Sequence, residues 1–469
     1  MFKKILIANR GEIAIRIMRA CREMGIESVA VYSTADASSL HVQFAGEAYC
    51  IGGPKAQDSY INMHNILTVA LAAKCDAIHP GFGFLAENSE FAGLCRRYNI
   101  AFIGPTPEVI ELMGDKSSAR RLMAESGIPV VPGSEGLVAT ASEARLVAEK
   151  IGYPLLVKAA AGGGGRGMRK VFSAPELESN FLTARAEAEA CFGSGEMYIE
   201  KLIEEPKHIE FQLLADQQGN IIHLGERDCS VQRRNQKLME ETPSPRLSPE
   251  LRREMGDMAV RAGRVAGYQS AGTVEFVVDA KGKYYFIEMN TRIQVEHPIT
   301  ELLTGVDIVK EQIRIAAGLP LSRRQEDITF SGCAIECRIN AEKPDADFRP
   351  STGKIQFLHL PAGFGVRVDT FLYTGYEVNP FYDSMLGKII VWGNSRLEAI
   401  RRMRRALEET LIEGIDTNLW LQHAIMYHPR FLWGDYNTSF IETNLQQLLN
   451  SGCPLEDKVR GQNESLSTT

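Results

Sequence analysis

The sequence predicts a mixed α/β and α+β chain. It has an N-terminal doubly wound parallel-sheet domain, a central domain of antiparallel strands and a C-terminal α+β domain. Three observations carry this. Strand, helix and strand alternate to about residue 103, the rhythm of a doubly wound sheet. Two runs of strand composition, AGTVEFVVD (271–279) and KYYFIEMN (283–290), are separated only by Ala280-Lys281-Gly282, as in a hairpin. Beyond residue 330, strand-like runs at 334–339 and 388–392 precede an amphipathic helix at 396–411.

In chain order, residues 4–8 read as a strand, Asn9-Arg10-Gly11 as a loop, and the following stretch to Met24 as an amphipathic helix stopped by Gly25. Residues 28–32 form the next strand. A dinucleotide fingerprint is missing, because Gly11 has no partner glycines at the required spacing. HPGFGF (79–84) is turn chemistry, Pro105-Thr106-Pro107 marks a boundary, and MGDK (113–116) opens a helical stretch. The strand at 155–158 ends in Lys158, and AGGGGRGM (161–168) follows before strand composition resumes at 170–172. This is not the phosphate loop that needs Gly-Lys-Ser/Thr running into a helix. Its glycines let backbone N–H groups approach phosphate oxygens, although a linker has the same composition.

Strands are expected at 197–201 and 207–214, with His208 a solvated strand residue. Residues 227–237 are rich in cations. An amphipathic helix at 307–317 ends at Gly318-Leu319-Pro320. The arginine-rich helix at 396–411 is expected to turn a solvated face outward. The stretch 450–469 has few apolar residues and is expected to be disordered.

The segment 283–297 organises the chemistry. Glu288, Asn290, Arg292, Gln294 and Glu296 fall on alternate positions, and alternate side chains of an extended chain share a face. Such a row runs roughly 26 Å, long enough to pass a metal-phosphate site and reach a second substrate. A two-residue turn at Lys281-Gly282 places Glu275 opposite Glu288. Facing carboxylates destabilise a ladder unless a cation lies between them, and an oxygen-only set suits Mg²⁺ or Mn²⁺ over zinc. Glu275, Glu288 and Asn290 are therefore the candidate metal ligands.

Net charge is -7, from 52 basic and 59 acidic residues, which argues against nucleic acid as the main partner. The nine cysteines are scattered, and only Cys333 and Cys337 are close, at no common zinc spacing. Thiols in a reducing compartment are the expectation. No apolar run is long enough for a signal peptide or a membrane span. A cytoplasmic protein is expected, or one of an organelle stroma if a transit peptide has been removed.

Seven motifs, in order, carry a resemblance. They are IANRGEIA (7–14), HPGFGFLAEN (79–88), MGDK, GGGGRGM (162–168), ERDCSVQRR (226–234), FIEMNTRIQVEH (286–297) and ECRINAE (336–342). Together they resemble biotin carboxylase of the ATP-grasp superfamily over about residues 5–442. The resemblance implies a Rossmann-like domain at 1–112 and an ATP-grasp domain at 113–325 with a mobile glycine-loop lid at about 131–203. A C-terminal domain at 326–445 and a disordered tail at 446–469 follow.

It also implies roles. ATP would contact Lys116, Lys158, Gly164 and Gly165 at its phosphates and Glu200, Lys201, Leu202 and Ile203 at its adenine. His208, Gln232, Asn235, Glu275 and Glu288 complete the nucleotide set. Glu275, Glu288 and Asn290 would hold two Mg²⁺ or Mn²⁺ ions. Lys237, Arg292, Gln294 and the Val295 backbone would bind bicarbonate, Glu296 would be the base, and Arg338 would face biotin with Phe82 near it. Catalysis would fall to Lys237, Arg292, Glu296 and Arg338.

Implied partners are a biotin carboxyl carrier protein, carboxyltransferase subunits and a second copy meeting through Arg19, Glu23, Phe364 and Arg367. No Met-Lys-Met biotinylation motif is present, so a separate carrier is expected. The family often has His at position 235, Tyr at 82 and Gly at 161, where this chain has Asn235, Phe82 and Ala161.

Overall fold

The computed structural model describes residues 1–160 and 167–451. Gly164 and Gly165, and the tail from residue 452, lie outside the described residues.

The first sheet is parallel throughout. Its strands lie side by side in the order Glu47–Gly52, Glu27–Ser33, Lys4–Ile7, Ala77–His79, Ala101–Phe102. Parallel sheets are covered on both faces, and Ile5, Leu6 and Ile7 are fully buried. The helix Gly11–Glu23 leaves the first strand and is followed by Gly25 at φ +71°, where glycine meets no steric cost. Asn88 caps Ser89–Arg97, Thr106 caps Pro107–Gly114, and Asp115 caps Lys116–Glu125. The last cap places Lys116 at a helix start.

The second sheet is antiparallel and has eight strands. Their order is Tyr284–Asn290, Ser270–Val278, Lys207–Ala215, Ile221–Arg233, Gln236–Thr242, Cys333–Asn340, Met385–Gly393, Val366–Thr370. The sequence divides central from C-terminal residues near 326, but the sheet runs through that division. Gln236–Thr242 pairs with Cys333–Asn340, with Glu240 opposite Glu336. An unpaired edge strand exposes a row of backbone donors and acceptors, and the C-terminal strands satisfy it. Arg338 thereby sits one strand away from Lys237.

A third, three-stranded sheet orders Met168–Val171, Leu155–Ala159 and Met197–Lys201. The helices Ala141–Ile151 and Ala174–Phe192 back it, and Val157, Phe181 and Ile199 are buried in its core.

Three local expectations are corrected. The hairpin turn is not two residues long. Asp279 pairs with Lys283 around Ala280-Lys281-Gly282, with Gly282 at φ +81°. A bulge between Glu275 and Phe276 then shifts the register by one residue, and Glu275 still lands opposite Glu288. The helix Phe440–Asn450 runs into the expected tail, because Phe440, Ile441 and Leu448 bury an apolar face. The arginines of Arg396–Glu409 are not simply solvated: Arg396 pairs with Glu241 at 2.6 Å and Arg404 donates to the Met426 carbonyl.

Candidate active site

Three neighbouring strands bring three acids into one row. Glu288 stands opposite Glu275, and Glu275 stands opposite Glu210 on Lys207–Ala215. Directly opposed residues share a face. Arg227, opposite Glu210 on the next strand, continues the row as a cation. It is fully buried, and its Nε donates to Glu210 Oε1 at 2.6 Å. Its other nitrogens reach Gln212, Thr300 and Thr273.

Lys237 crosses this row. Its Nζ donates to Glu275 Oε1 at 3.0 Å, to Glu296 Oε1 at 2.7 Å and to Glu210 Oε2. Burial works against its charge, but Glu210, Glu275 and Glu296 hold it well above the ordinary lysine range. The hairpin that carries it turns at Arg234-Asn235, both in the left-handed region that a tight turn demands. Asn235 is exposed at that tip.

The alternating polar row is not one strand. Extended pairing stops at Asn290, where the Thr291 amide turns to Glu87 Oε1 at 3.0 Å. Glu296 precedes the helix His297–Thr304, which has Pro298 in its first turn, where proline's missing N–H costs nothing. Arg292 to Glu296 therefore bend back over the sheet instead of extending along it.

Arg292 is taken by Glu87 at 2.9 Å, Gln294 at 2.7 Å and Asn290 at 2.9 Å. Lys237 and Arg338 are the groups that hold Glu296, Arg338 at 2.9 Å on Oε2. Burial raises the Glu296 carboxyl, but Lys237, Arg338 and Arg227 outweigh it and keep it well below the usual range. Glu240, on Arg338 Nε at 2.7 Å, is pushed up to about 7 by burial against that cation's pull.

At the other end, burial and the Glu275 charge push the Glu288 carboxyl upward, against the pull of Lys116 at 3.7 Å. Glu275 is opposite in behaviour: burial raises it, while Lys237 and His208 bring it well below the ordinary range. His208 is not solvated. Its Nε2 lies 2.8 Å from Glu275 Oε2, and its Nδ1 lies 3.4 Å from the Gln232 amide. Asn290 Nδ2 donates to Glu275 Oε1 at 2.8 Å, and Gln294 Nε2 reaches the same oxygen at 3.1 Å. Both Glu275 oxygens are thus already held within the chain, and Glu288, opposite it, is the carboxylate with the raised pKa; the oxygen donors of Glu275, Glu288 and Asn290 are of the kind a hard divalent cation takes.

The three-stranded sheet supplies Lys158, half-buried, whose Nζ donates to the buried Glu200. Lys201 Nζ donates to the Tyr153 and Gly152 carbonyls, and the Leu202 amide donates to Pro154 O at 3.0 Å. Ile203 follows in the loop after that strand. Phe82 is half-buried against the N-terminal core, and its carbonyl accepts from Asn9 Nδ2 at 2.7 Å.

Known families match the chain in consecutive stretches. "Biotin carboxylase, N-terminal domain" matches residues 1–110, and "Biotin carboxylase C-terminal domain" matches 336–443. Between them, "Carbamoyl-phosphate synthase L chain, ATP binding domain" matches residues 115–324. Biotin carboxylase of Nostoc sp. is 58% identical over 441 residues, covering 94% of this chain and 99% of that one. The chain belongs to the biotin carboxylase family. The small subunit of 2-oxoglutarate carboxylase from Hydrogenobacter thermophilus is 53% identical, covering 94% of this chain and 93% of its own. The biotin carboxylase domain dimer of that organism's 2-oxoglutarate carboxylase superposes with a TM-score of 0.92 at 52% identity. It covers 96% of this chain and 99% of that one, and was solved with MgADP, ADP and bicarbonate. The family's class, an ATP-grasp carboxylase, is this chain's class.

Glu210, Arg227, Glu240 and Glu87 were missed as site residues in the sequence. Glu210 and Arg227 lie in segments that looked like an alternating strand and a charge run. Glu87 sits inside HPGFGFLAEN, and only the fold brings it to Arg292.

Proposed function

We propose that this chain carboxylates biotin borne on a carrier protein, using ATP and bicarbonate through carboxyphosphate. The observation that supports it most is the cluster on Glu296: a carboxylate sealed from solvent, kept ionised by Lys237 and Arg338, beside a second cation site at Arg292.

Bicarbonate is a poor electrophile and an anion, and ATP presents further anions. Lys237, Arg292 and Gln294 with the Val295 backbone bind the bicarbonate, while Lys116 and Lys158 face the phosphates. Glu275, Glu288 and Asn290 would hold divalent metal, which supplies charge neutralisation on the phosphate oxygens. Glu296 accepts the bicarbonate proton. The bicarbonate oxygen bonds to the γ-phosphorus as the bond to ADP breaks. Carboxyphosphate splits to carbon dioxide and phosphate. Phosphate takes the ureido proton of biotin, Arg338 stabilises the oxygen anion that develops, and the freed nitrogen bonds to carbon dioxide.

In this reading Glu200, Lys201, Leu202 and Ile203 meet the adenine, with His208, Gln232 and Asn235 nearby, and Phe82 lies at the biotin end. Two copies pair through Arg19, Glu23, Phe364 and Arg367; Phe364 is 78% exposed, as an interface aromatic in the free chain would be. The carrier and carboxyltransferase are separate chains in the cytoplasm. Acetyl-CoA is proposed as the final acceptor, which places the enzyme in fatty acid synthesis. The test is ADP release that requires bicarbonate and rises with free biotin. Absence of both with folded protein and Mg²⁺ removes the reading. Identifying the carrier that co-purifies decides the acceptor, since a pyruvate- or 2-oxoglutarate-specific carrier rules out acetyl-CoA.

A further inference from the structure

The motif IANRGEIA is not absorbed by the chemistry above, and its Glu12 has no role there. Glu12 lies in the first turn of the helix Gly11–Glu23 and is 3% exposed. Facing it is Lys388 on the strand Met385–Gly393, fully buried. Lys388 Nζ lies 3.1 Å from Glu12 Oε1 and donates to the Val295 carbonyl at 2.7 Å. Lys388 also stands directly opposite Arg338 in the ladder, so the two cations leave the same sheet face. Arg338 holds the Glu296 side chain, and Lys388 holds the backbone one residue earlier.

Burying an ammonium costs several kcal/mol unless anions balance it. Glu12, Glu336 and Asp369 do so here: burial lowers the Lys388 pKa, and these acids together keep it above its ordinary value. A lysine needed only to neutralise those acids has no need of a neutral carbonyl in a loop. The peptide unit is planar. Fixing the Val295 carbonyl therefore fixes the plane from which Glu296 departs and limits how the loop can rotate over the sheet.

We propose that Lys388, seated on Glu12, is a positioning residue that aims the loop of Gln294, Val295 and Glu296 at bicarbonate. Through it the N-terminal helix reaches the group that accepts the proton. The inference rests on the proposed role of that loop.

Steady-state ADP release by the full chain, with ATP and bicarbonate varied separately, tests it. Lys388→Met lowers kcat/KM for bicarbonate by about 10²-fold, as small misplacements of catalytic groups do. Its KM for ATP stays within about twofold of the wild type. Lys388→Arg restores a donor and recovers most of the bicarbonate loss. The double variant Glu12→Gln with Lys388→Met removes that ion pair together, so that Glu12 is not left charged without its lysine, and shows the same bicarbonate defect; it serves if the single variant does not fold. Wild-type bicarbonate kinetics in folded Lys388→Met or in the folded double variant overturn the inference. So does an equal fall for ATP and bicarbonate with no recovery in Lys388→Arg. A wild-type protein without bicarbonate-dependent ADP release instead overturns the site reading itself.

Discussion

The two ends of the carboxylate cluster are built on opposite principles. Glu296 is buried with its own cations: Lys237 at 2.7 Å and Arg338 at 2.9 Å hold it ionised well below the usual range. Glu288 shares its strand pair with Glu275, and its carboxyl is pushed up by burial and by that neighbour. One end carries its compensating charge within the chain, and the other is left short of it. On the proposed reading, the difference separates the carboxylate that acts as a base in the resting protein from the one that an added cation completes. A proton acceptor must be ionised before substrate arrives. A metal ligand gains most when the metal itself relieves the repulsion.

The sharpest way to break the comparison is at Glu296. Glu296→Gln keeps the shape and the fold but lowers bicarbonate-dependent turnover by about 10²–10⁴-fold, the range for a lost general base. A pre-steady-state and steady-state ADP assay reads it, and wild-type turnover would sink the assignment.

Lys237→Ala ranks next. It leaves Glu210, Glu275 and Glu296 buried without their shared cation, so it destabilises by about 3–5 kcal/mol as well as abolishing turnover. Urea unfolding measures the first effect. A stable Lys237→Ala variant would mean the carboxylates are compensated elsewhere.

Glu288→Gln tests the opposite end. It removes a repulsion, so stability without metal holds or rises, while the rise in Tm caused by Mg²⁺ with nucleotide shrinks or vanishes. Thermal melts with and without Mg²⁺ decide it, and an undiminished Mg²⁺ effect would place the ion elsewhere.

The smallest effect is in pH dependence, where the two residues differ in sign. Glu296, with a lowered native pKa, contributes stability that is present above the ordinary glutamate range and lost as pH falls through it. Glu288, with a raised native pKa, costs stability at neutral pH, and that cost disappears on acidification. Against wild type, Glu296→Gln therefore flattens the acid loss of Tm, and Glu288→Gln steepens it. Slopes that change in the same direction would contradict the contrast.

Much of this was legible in residue order. Alternation in the first hundred residues gave the doubly wound sheet. Composition on either side of Lys281-Gly282 gave a hairpin and put Glu275 opposite Glu288. That register survived because a longer turn and a bulge offset one another, which no local pattern announces. The motifs of ATP-grasp type pointed to Lys237 and Arg338 through resemblance, and the structure brings both onto Glu296. His208 was misread, since a histidine on an alternating strand looks the same whether water or a carboxylate faces it. The row 288–296 was read as straight because alternation cannot show where Thr291 finds Glu87, more than two hundred positions away.

Sequence alone determined the elements, the turn chemistry and the supply of acids and cations, because those depend on neighbours along the chain. Tertiary structure alone decided which cation serves which acid. Sheet pairing across the division near residue 326 sets Arg338 beside Lys237, and the close of the loop over that sheet sets Glu296 between them. Electrostatics falls off with distance in space and is strengthened by burial, and neither distance nor burial is written in the order of residues.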